Sequence, residues 1–167
     1  MANTYQLIEA KVLTSTAAVV TLSAIPQTYT DLKLVMSLRD TITGTGNAWQ
    51  AFDIYFNGAN SNRSGKVVYG VGSSTGSTNA TYGMANEGST TANTFSNNEL
   101  YIPNYTSSNY KSYSIDQVTE NNATAAMIYP LAGLWSVTSA ITSITCSTYG
   151  TAFAINSSFY LYGIKNS

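Results

Sequence analysis

The eight carboxylates of this 167-residue chain are its best candidates for acid–base chemistry, because the sequence contains no histidine. Histidine is the usual general base near neutral pH and the commonest metal ligand. A serine–histidine–acid arrangement is therefore impossible. Asp53, Glu99 and Asp116 fall in segments of alternating polarity, where two of them could face one substrate. Carboxylates on the solvent face of a strand are ordinary, so we predict no catalytic residue and no enzyme.

Metal and cofactor binding have equally weak support. Cys146 is the single cysteine, which leaves no disulfide framework and no multi-cysteine metal site, and its neighbours predict a small buried side chain in a strand. The run 57–62 (NGANSN) is rich in oxygen ligands but lacks the carboxylates that calcium sites generally include. Its Asn57-Gly58 pair predicts a tight turn instead. We expect no metal and no cofactor.

Thirteen tyrosines and two tryptophans are the remaining residues with recognisable binding chemistry. Flat aromatic rings can support a sugar ring or anchor a protein interface. The candidate sugar platform is a group of four tyrosines that lie close in sequence: Tyr101, Tyr105, Tyr110 and Tyr113. The alternative is that these rings pack inside the fold and hydrogen-bond at their tips. The sequence favours the second interpretation without excluding the first.

Short segments of β character, separated by turn residues, must position these side chains. Thr, Ser and Asn make up 60 of the 167 residues, whereas the straight-chain helix formers are scarce. Apolar and polar residues alternate over 31–40, which is typical of a half-buried strand. The same alternation over 49–57 predicts a strand with Phe52, Ile54 and Phe56 facing the core and Asp53 facing solvent.

These patterns predict one all-β domain over 1–167, an antiparallel β-sandwich of jelly-roll type with eight to ten strands. Segments 4–13 and 17–23 are expected to pair as a hairpin. The segment 125–135 contains Pro130 and Gly133, so it forms either a bulged edge strand or two short strands. The polar stretch around 73–96 has no regular pattern and is predicted to be a long loop.

Charge and hydropathy exclude two classes of partner. A net charge of −1 with only seven basic residues provides no electrostatic footprint for nucleic acid. No apolar run approaches the roughly 20 residues that a membrane helix needs, so we expect no membrane partner. The first residues lack the basic and apolar regions of a secretory signal, and we expect synthesis in a reducing cytoplasm.

Several phrases along the chain resemble one group of known proteins. They are ANTYQLI at 2–8, IPQTYTDLKLVMSLR at 25–39, FNGANSNRS at 56–64, ANTFSNNELYIPNY at 92–105, SYSIDQVTENN at 112–122 and FYLYGIKNS at 159–167. The chain resembles the small virion structural proteins of tailed phages, which are common among cyanobacterial phages. The similarity runs in order along nearly the whole chain and is least clear over 66–91. It implies a capsid decoration (cement) protein or a head or tail fibre subunit, with no catalytic motif.

We therefore expect a non-enzymatic virion protein that binds and stabilises the assembled head. Its expected partners are the major capsid protein and further copies of itself, as a homotrimer on the capsid surface, after synthesis in the host cytoplasm. Tyr5, Tyr82 and Met84 are candidate contacts with these neighbours, and the interface candidates also include Tyr101, Tyr105, Tyr110 and Tyr113. The alternative is a fibre or receptor-binding module that recognises host surface glycan, with the four clustered tyrosines as its platform.

Overall fold

The computed structural model describes residues 4–120, 122 and 126–165, which form thirteen β-strands and no helix. The all-β prediction is confirmed, with more strands than the eight to ten expected. The strands in chain order are β1 (Tyr5–Val12), β2 (Val19–Leu22), β3 (Asp31–Leu38), β4 (Trp49–Phe56), β5 (Arg63–Val71), β6 (Ser74–Asn79), β7 (Tyr82–Asn86), β8 (Ser96–Ile102), β9 (Lys111–Glu120), β10 (Ala126–Ile128), β11 (Leu131–Trp135), β12 (Ile144–Thr148) and β13 (Ser158–Ile164).

Two antiparallel sheets make up the fold. The larger sheet has nine strands, and its first five follow the order β1-β13-β3-β8-β9. Next to β9, the strands β10 and β11 lie end to end, and β5 and then β6 complete the sheet. The smaller sheet has the order β2-β12-β4-β7. Residues 126–135 are therefore two short strands interrupted at Tyr129 and Pro130, and they lie inside the sheet because β9 and β5 flank them.

Eight of the strands, here called the eight-strand sandwich, pair like one long hairpin that has been folded over. β1 pairs with β13, β2 with β12, β3 with β8 and β4 with β7. Further pairings of β13 with β3 and of β12 with β4 join these pairs into two sheets. The other five strands, here called the inserted strands, are β5, β6, β9, β10 and β11, and they extend the larger sheet beyond β8.

The expected hairpin between 4–13 and 17–23 is wrong. β1 belongs to the larger sheet and β2 to the smaller one, so the chain crosses between the sheets at 13–17. The amides of Leu13 and Ala17 donate to the carbonyls of Ser157 and Phe153 at 2.9 and 3.2 Å. These bonds tie the connection to the C-terminal part of the chain and satisfy backbone groups that a hairpin would have paired locally.

The hydrophobic core fills the space between the two sheets. Every second residue of β3, from Leu32 to Leu38, is buried, as the alternation over 31–40 predicted. Phe52 of the smaller sheet contacts Phe153 edge-on at 5.9 Å, and Phe153 contacts Phe159 of the larger sheet at 5.5 Å. Such edge-to-face contacts stabilise beyond the area they bury, so this chain of rings holds the sheets together.

The stretch 73–96 is not a long loop, because it contains β6 and β7. The turn that follows β7 is held by Arg39, whose guanidinium donates to four backbone carbonyls between 88 and 94 at 2.8–2.9 Å. The sequence did not predict this order, since Arg39 lies about fifty positions away and its contacts satisfy carbonyls that carry no local pattern.

The predicted turn at Asn57-Gly58 is confirmed. Both residues have positive φ angles, 54° and 72°, as a tight hairpin turn of the I′ type requires. The Asn57 side chain is also used structurally, because its Oδ1 accepts the Thr142 amide at 2.8 Å.

Candidate functional site

Exposed apolar side chains form a patch on the outer face of the inserted strands. Val118 of β9 lies opposite Ile128 of β10, which lies opposite Gly70 of β5. A Cβ atom on Gly70 would be 3.3 Å from Cγ2 of Ile128, so the isoleucine side chain covers this glycine. Val68, two residues along β5, points to the same face. Val68, Val118 and Ile128, here called the apolar outer patch, are 60, 41 and 56% exposed.

A shallow depression of about 430 Å³ adjoins the apolar outer patch. Gly70, Gly72, Ala126 and Glu120 help to line it. The patch itself carries no charge. An uncharged apolar surface beside a depression is the arrangement that protein interfaces use at their centre.

A polar cluster occupies the other end of the same outer face. Nζ of Lys33 lies 2.6 Å from Oε1 of Glu99 and 5.8 Å from the centre of the exposed Tyr5 ring. The Tyr101 hydroxyl donates to Asp31 at 2.7 Å, and this bond is the main reason that the pKa of Tyr101 is raised to about 12. Tyr5 and Tyr101 therefore share one surface, with Tyr5 at the edge strand.

The three carboxylates that could have formed a catalytic pair do not converge. Glu99 and Asp116 lie opposite each other on the outer face of the larger sheet, whereas Asp53 belongs to the smaller sheet. Asp53 is buried rather than solvent-facing, because Arg63 covers it with Nη2 at 3.0 Å from Oδ1. Among the described residues, no group of three or more His, Cys, Asp or Glu could hold a metal ion.

The four clustered tyrosines do not form a platform. Tyr105 and Tyr113 point into the core and are buried, which corrects the prediction that they are surface contacts. The hydroxyl of Tyr105 donates to the Pro26 carbonyl, and burial raises the pKa of both phenols. Tyr110 is exposed, and Tyr101 belongs to the polar cluster. These rings are close together in the chain, but Tyr101 and Tyr113 point to opposite faces of the larger sheet, and Tyr105 and Tyr110 lie in the connection between β8 and β9.

Met84 is also unavailable as a surface contact, because only 1% of it is exposed. Its strand, β7, faces the inserted strands on one side, and the Gln117 carboxamide oxygen accepts the Met84 amide at 2.8 Å. Tyr82 of the same strand is half-buried. Its ring stacks on Tyr129 at 6.0 Å and leans against the exposed Tyr149 at 6.2 Å.

The Tyr82 ring forms one wall of a concavity that we call the aromatic hollow. Its cavity volume is about 260 Å³, and six of its lining residues are Trp49, Tyr69, Tyr82, Met84, Met127 and Tyr129. Strand alternation places Trp49, Tyr82 and Met84 on the face of the smaller sheet opposite to Phe52, whose ring lies over Gly83. The inserted strands supply Tyr69, Met127 and Tyr129. The larger sheet thus curves around β7 and covers part of the second face of the smaller sheet.

Lys111 is a buried charged residue that the sequence analysis missed. Its Nζ donates to the carbonyls of Ser107, Thr138 and Ser139 at 2.6, 3.1 and 2.7 Å, and burial lowers its pKa. Alternation was the sequence signal that could have identified its burial, because the inward positions of β9 are the odd-numbered ones and Lys111 is the first of them. The role is structural, since these bonds join two loops.

Cys146 is a packing residue, as its sequence context predicted. It is buried in β12, its Sγ lies 3.8 Å from Sδ of Met36, and burial raises the pKa of the thiol to about 12. A thiol with this pKa is not a nucleophile near neutral pH.

No family model matches the chain, and no curated protein or solved structure matches it either. None of the described residues form a helix that is long and apolar enough to span a bilayer.

Proposed function

We propose that this protein is a non-enzymatic virion component, a capsid decoration protein that binds and stabilises an assembled phage head. The observation that carries the proposal is the apolar outer patch, which a rigid sheet presents to solvent. Large exposed apolar surfaces on soluble proteins mark interaction sites. The resemblance of the sequence to small phage virion proteins supplies the kind of partner, the major capsid protein.

The proposed mechanism is burial of this patch across neighbouring capsid subunits. Full burial of one exposed aliphatic side chain contributes about 1.5–3 kcal/mol, and the three patch residues are about half exposed, so together they could contribute about 2–5 kcal/mol. Because the protein would bind the assembled lattice and not the separated subunits, its binding would stabilise the lattice by mass action. The patch lacks the Lys and Glu side chains that interface centres disfavour.

We infer further that the eight-strand sandwich is a jelly roll. Its first strand pairs with its last and its second with the next to last, as a long antiparallel hairpin rolled into two sheets would arrange them. Jelly rolls are found in viral capsid and lectin domains, so this topology agrees with a virion role.

Self-association is the second part of the proposal, with the chain acting as a homotrimer on the capsid surface. The edge strand β1 carries two exposed apolar side chains, Tyr5 and Leu7, near its beginning. Later in the strand, the inward-facing Glu9 and Lys11 and a bulge at Leu7/Glu9 discourage continuous strand pairing. Contacts between copies would therefore use the start of β1.

The test is binding of the purified protein to phage heads that lack it, measured by co-sedimentation. The double substitution Val118→Asp and Ile128→Asp should abolish binding, because it places two charges in the patch. Tyr110→Ala changes an exposed ring outside the patch and should bind normally. Circular dichroism would show that both variants remain folded.

Cryo-electron microscopy of the native particle provides the second arm of the test. Density for the protein over the head, with the inserted strands against the capsid, is the expected result. Density only at the tail or fibres, or full binding by the double variant, would overturn the proposal and favour the fibre interpretation.

A further inference from the structure

We propose that the aromatic hollow binds one ring of a neutral saccharide. The hollow lies on the opposite face of the inserted strands from the apolar outer patch, so both surfaces could be occupied at once. The site does not depend on the capsid role, because its argument uses only the groups that line it.

The walls of the hollow are held in place by contacts within the protein. The Tyr129 ring stacks between Tyr69 at 6.3 Å and Tyr82 at 6.0 Å, with interplanar angles of 24° and 19°. Tyr69 lies directly over its cross-strand partner Gly76, where a Cβ atom would come within 2.6 Å of the phenol oxygen. A ligand would therefore meet an ordered site and would not bear the entropy cost of fixing these rings.

The size of the hollow limits the ligand to a single ring. Its volume of about 260 Å³ lies below the roughly 300–1,000 Å³ of sites that enclose drug-sized molecules. Trp49 lines the hollow and also borders a smaller cavity that Asn47 and Ala48 help to line.

The chemistry of the lining favours an uncharged, amphipathic ligand. Among the described residues that line the hollow, none carries a charge, and the polar side chains are the hydroxyls of Tyr69, Thr78, Tyr82 and Tyr129 and the Trp49 indole N–H. Burial raises the pKa of Tyr129, with Tyr82 as a further cause, so its phenol stays protonated. A charged ligand would lose its hydration without gaining a counter-charge.

A pyranose ring fits this lining better than a purely apolar molecule does. The C–H groups of a sugar ring can pack on the Trp49 and Tyr82 rings, while its hydroxyls reach Thr78 and the phenols of Tyr69 and Tyr82. A hydrocarbon of the same size would leave buried hydroxyl groups without partners, which costs binding energy.

The surface beyond the hollow has room for further sugar units. Tyr82 also borders a second, open hollow of about 500 Å³, where the Asn79 and Thr81 side chains provide hydrogen-bonding groups. The exposed ring of Tyr149 stands beside Tyr82 on this route. The bound saccharide would therefore place one ring in the aromatic hollow and continue past Tyr82.

Titration of the ¹⁵N-labelled protein with four neutral oligosaccharides, maltotriose, lactose, mannotriose and chitotriose, tests the proposal by NMR. The two tryptophans form an internal comparison, because Trp49 lines the hollow whereas Trp135 is buried elsewhere in the core. At least one probe should shift the Trp49 indole signal in a saturable way and leave the Trp135 signal unchanged. The anionic 3′-sialyllactose is the charged comparator and should bind at least about tenfold more weakly.

Two variants and one control complete the experiment. Tyr82→Phe keeps the stacked ring and removes one hydroxyl from the lining, and it should weaken binding about tenfold. Tyr82→Ala should abolish binding, whereas Tyr110→Ala should leave it unchanged. The proposal would be overturned if no neutral probe shifts the Trp49 signal, or if binding is the same in Tyr82→Ala and Tyr82→Phe as in the unaltered protein.

Discussion

The eight-strand sandwich and the inserted strands both bury apolar surface, but they do so with different kinds of side chain. The sandwich is filled by Leu, Ile, Met and Phe between its two sheets, and the strand pairings close it into one folded hairpin. The inserted strands cover the smaller sheet with Tyr and Trp rings and leave apolar groups exposed on their outer face. Both proposed recognition surfaces therefore belong largely to the inserted strands.

Aromatic rings over cross-strand glycines occur in both regions. Phe52 covers Gly83 in the sandwich, and Tyr113 covers Gly133 in the inserted strands, where a Cβ atom would be 2.4 and 2.2 Å from the nearest ring atom. The ring fills the space that the glycine leaves and restores the packing that a strand glycine loses. A cross-strand glycine therefore lets a bulky ring lie flat on the sheet, and tyrosines can line the aromatic hollow in this way.

The largest expected effect comes from the ring that joins the two regions. Phe56 of β4 contacts Tyr113 at 5.3 Å and Trp135 at 5.5 Å in the inserted strands. Phe56→Ala should lower the free energy of unfolding by about 3–5 kcal/mol, because it leaves a cavity at the junction. Urea denaturation measures this change. Val12→Ala, at an exposed site, should stay within about 0.5 kcal/mol. A loss below about 1 kcal/mol for Phe56→Ala would show that the two regions fold independently.

A second contact between the two regions is an ion pair, and its loss should lower the free energy of unfolding somewhat less than Phe56→Ala does. Arg63 of the inserted strands pairs with Asp53 of the sandwich, and both side chains are buried. Arg63→Met should cost about 3 kcal/mol in unfolding free energy, since it leaves the Asp53 carboxylate buried without its charge partner.

The double variant Arg63→Met with Asp53→Leu separates the pair from the packing around it. It should recover most of the loss, because no unpaired charge remains. Lys33→Met breaks the more exposed ion pair with Glu99 and should cost about 0–1 kcal/mol. Equal losses of unfolding free energy in Arg63→Met and Lys33→Met would contradict the conclusion that the Arg63–Asp53 pair joins the two regions.

A loss of stability that is absent at neutral pH is expected only at alkaline pH. Burial raises the pKa of Tyr113 and Tyr129, and the pKa values of Tyr101 and Tyr149 are raised to about 12. Since the folded pKa exceeds the unfolded value near 10, the stability from these groups is complete below pH 10 and is lost as pH rises towards 12. The lowered pKa of Lys111 acts in the opposite direction just below its ordinary value of 10.5, and one lysine does not offset four tyrosines.

Urea midpoints between pH 8 and pH 12 test this dependence. The midpoint should be steady up to about pH 9 and fall above pH 10. Tyr113→Phe should reduce the fall, because it removes one of the buried phenols of the inserted strands. A urea midpoint that stays constant to pH 12 would contradict the conclusion that phenol ionisation lowers stability. A fall of equal size in Tyr113→Phe would contradict the conclusion that Tyr113 contributes to it.

Alternation in the sequence was sufficient to predict the strands 31–38 and 49–56 and the apolar side chains that they send inward. The Asn57-Gly58 turn was predictable for the same reason, because its two positive φ angles are a local property. The all-β class follows from these local preferences, summed over the chain.

Only the tertiary structure shows which side chains cover each face of a strand. Alternation separates the two sides of a strand, but it does not show that Arg63 buries Asp53 or that Arg39 orders the turn after β7. The aromatic hollow joins Trp49 to Tyr129, which lie eighty positions apart, because the larger sheet curves around the smaller one. The sequence by itself therefore determined strands and turns, which depend on neighbouring residues. The sites depend on contacts between distant strands, and those contacts are set by how the sheets pair and curve.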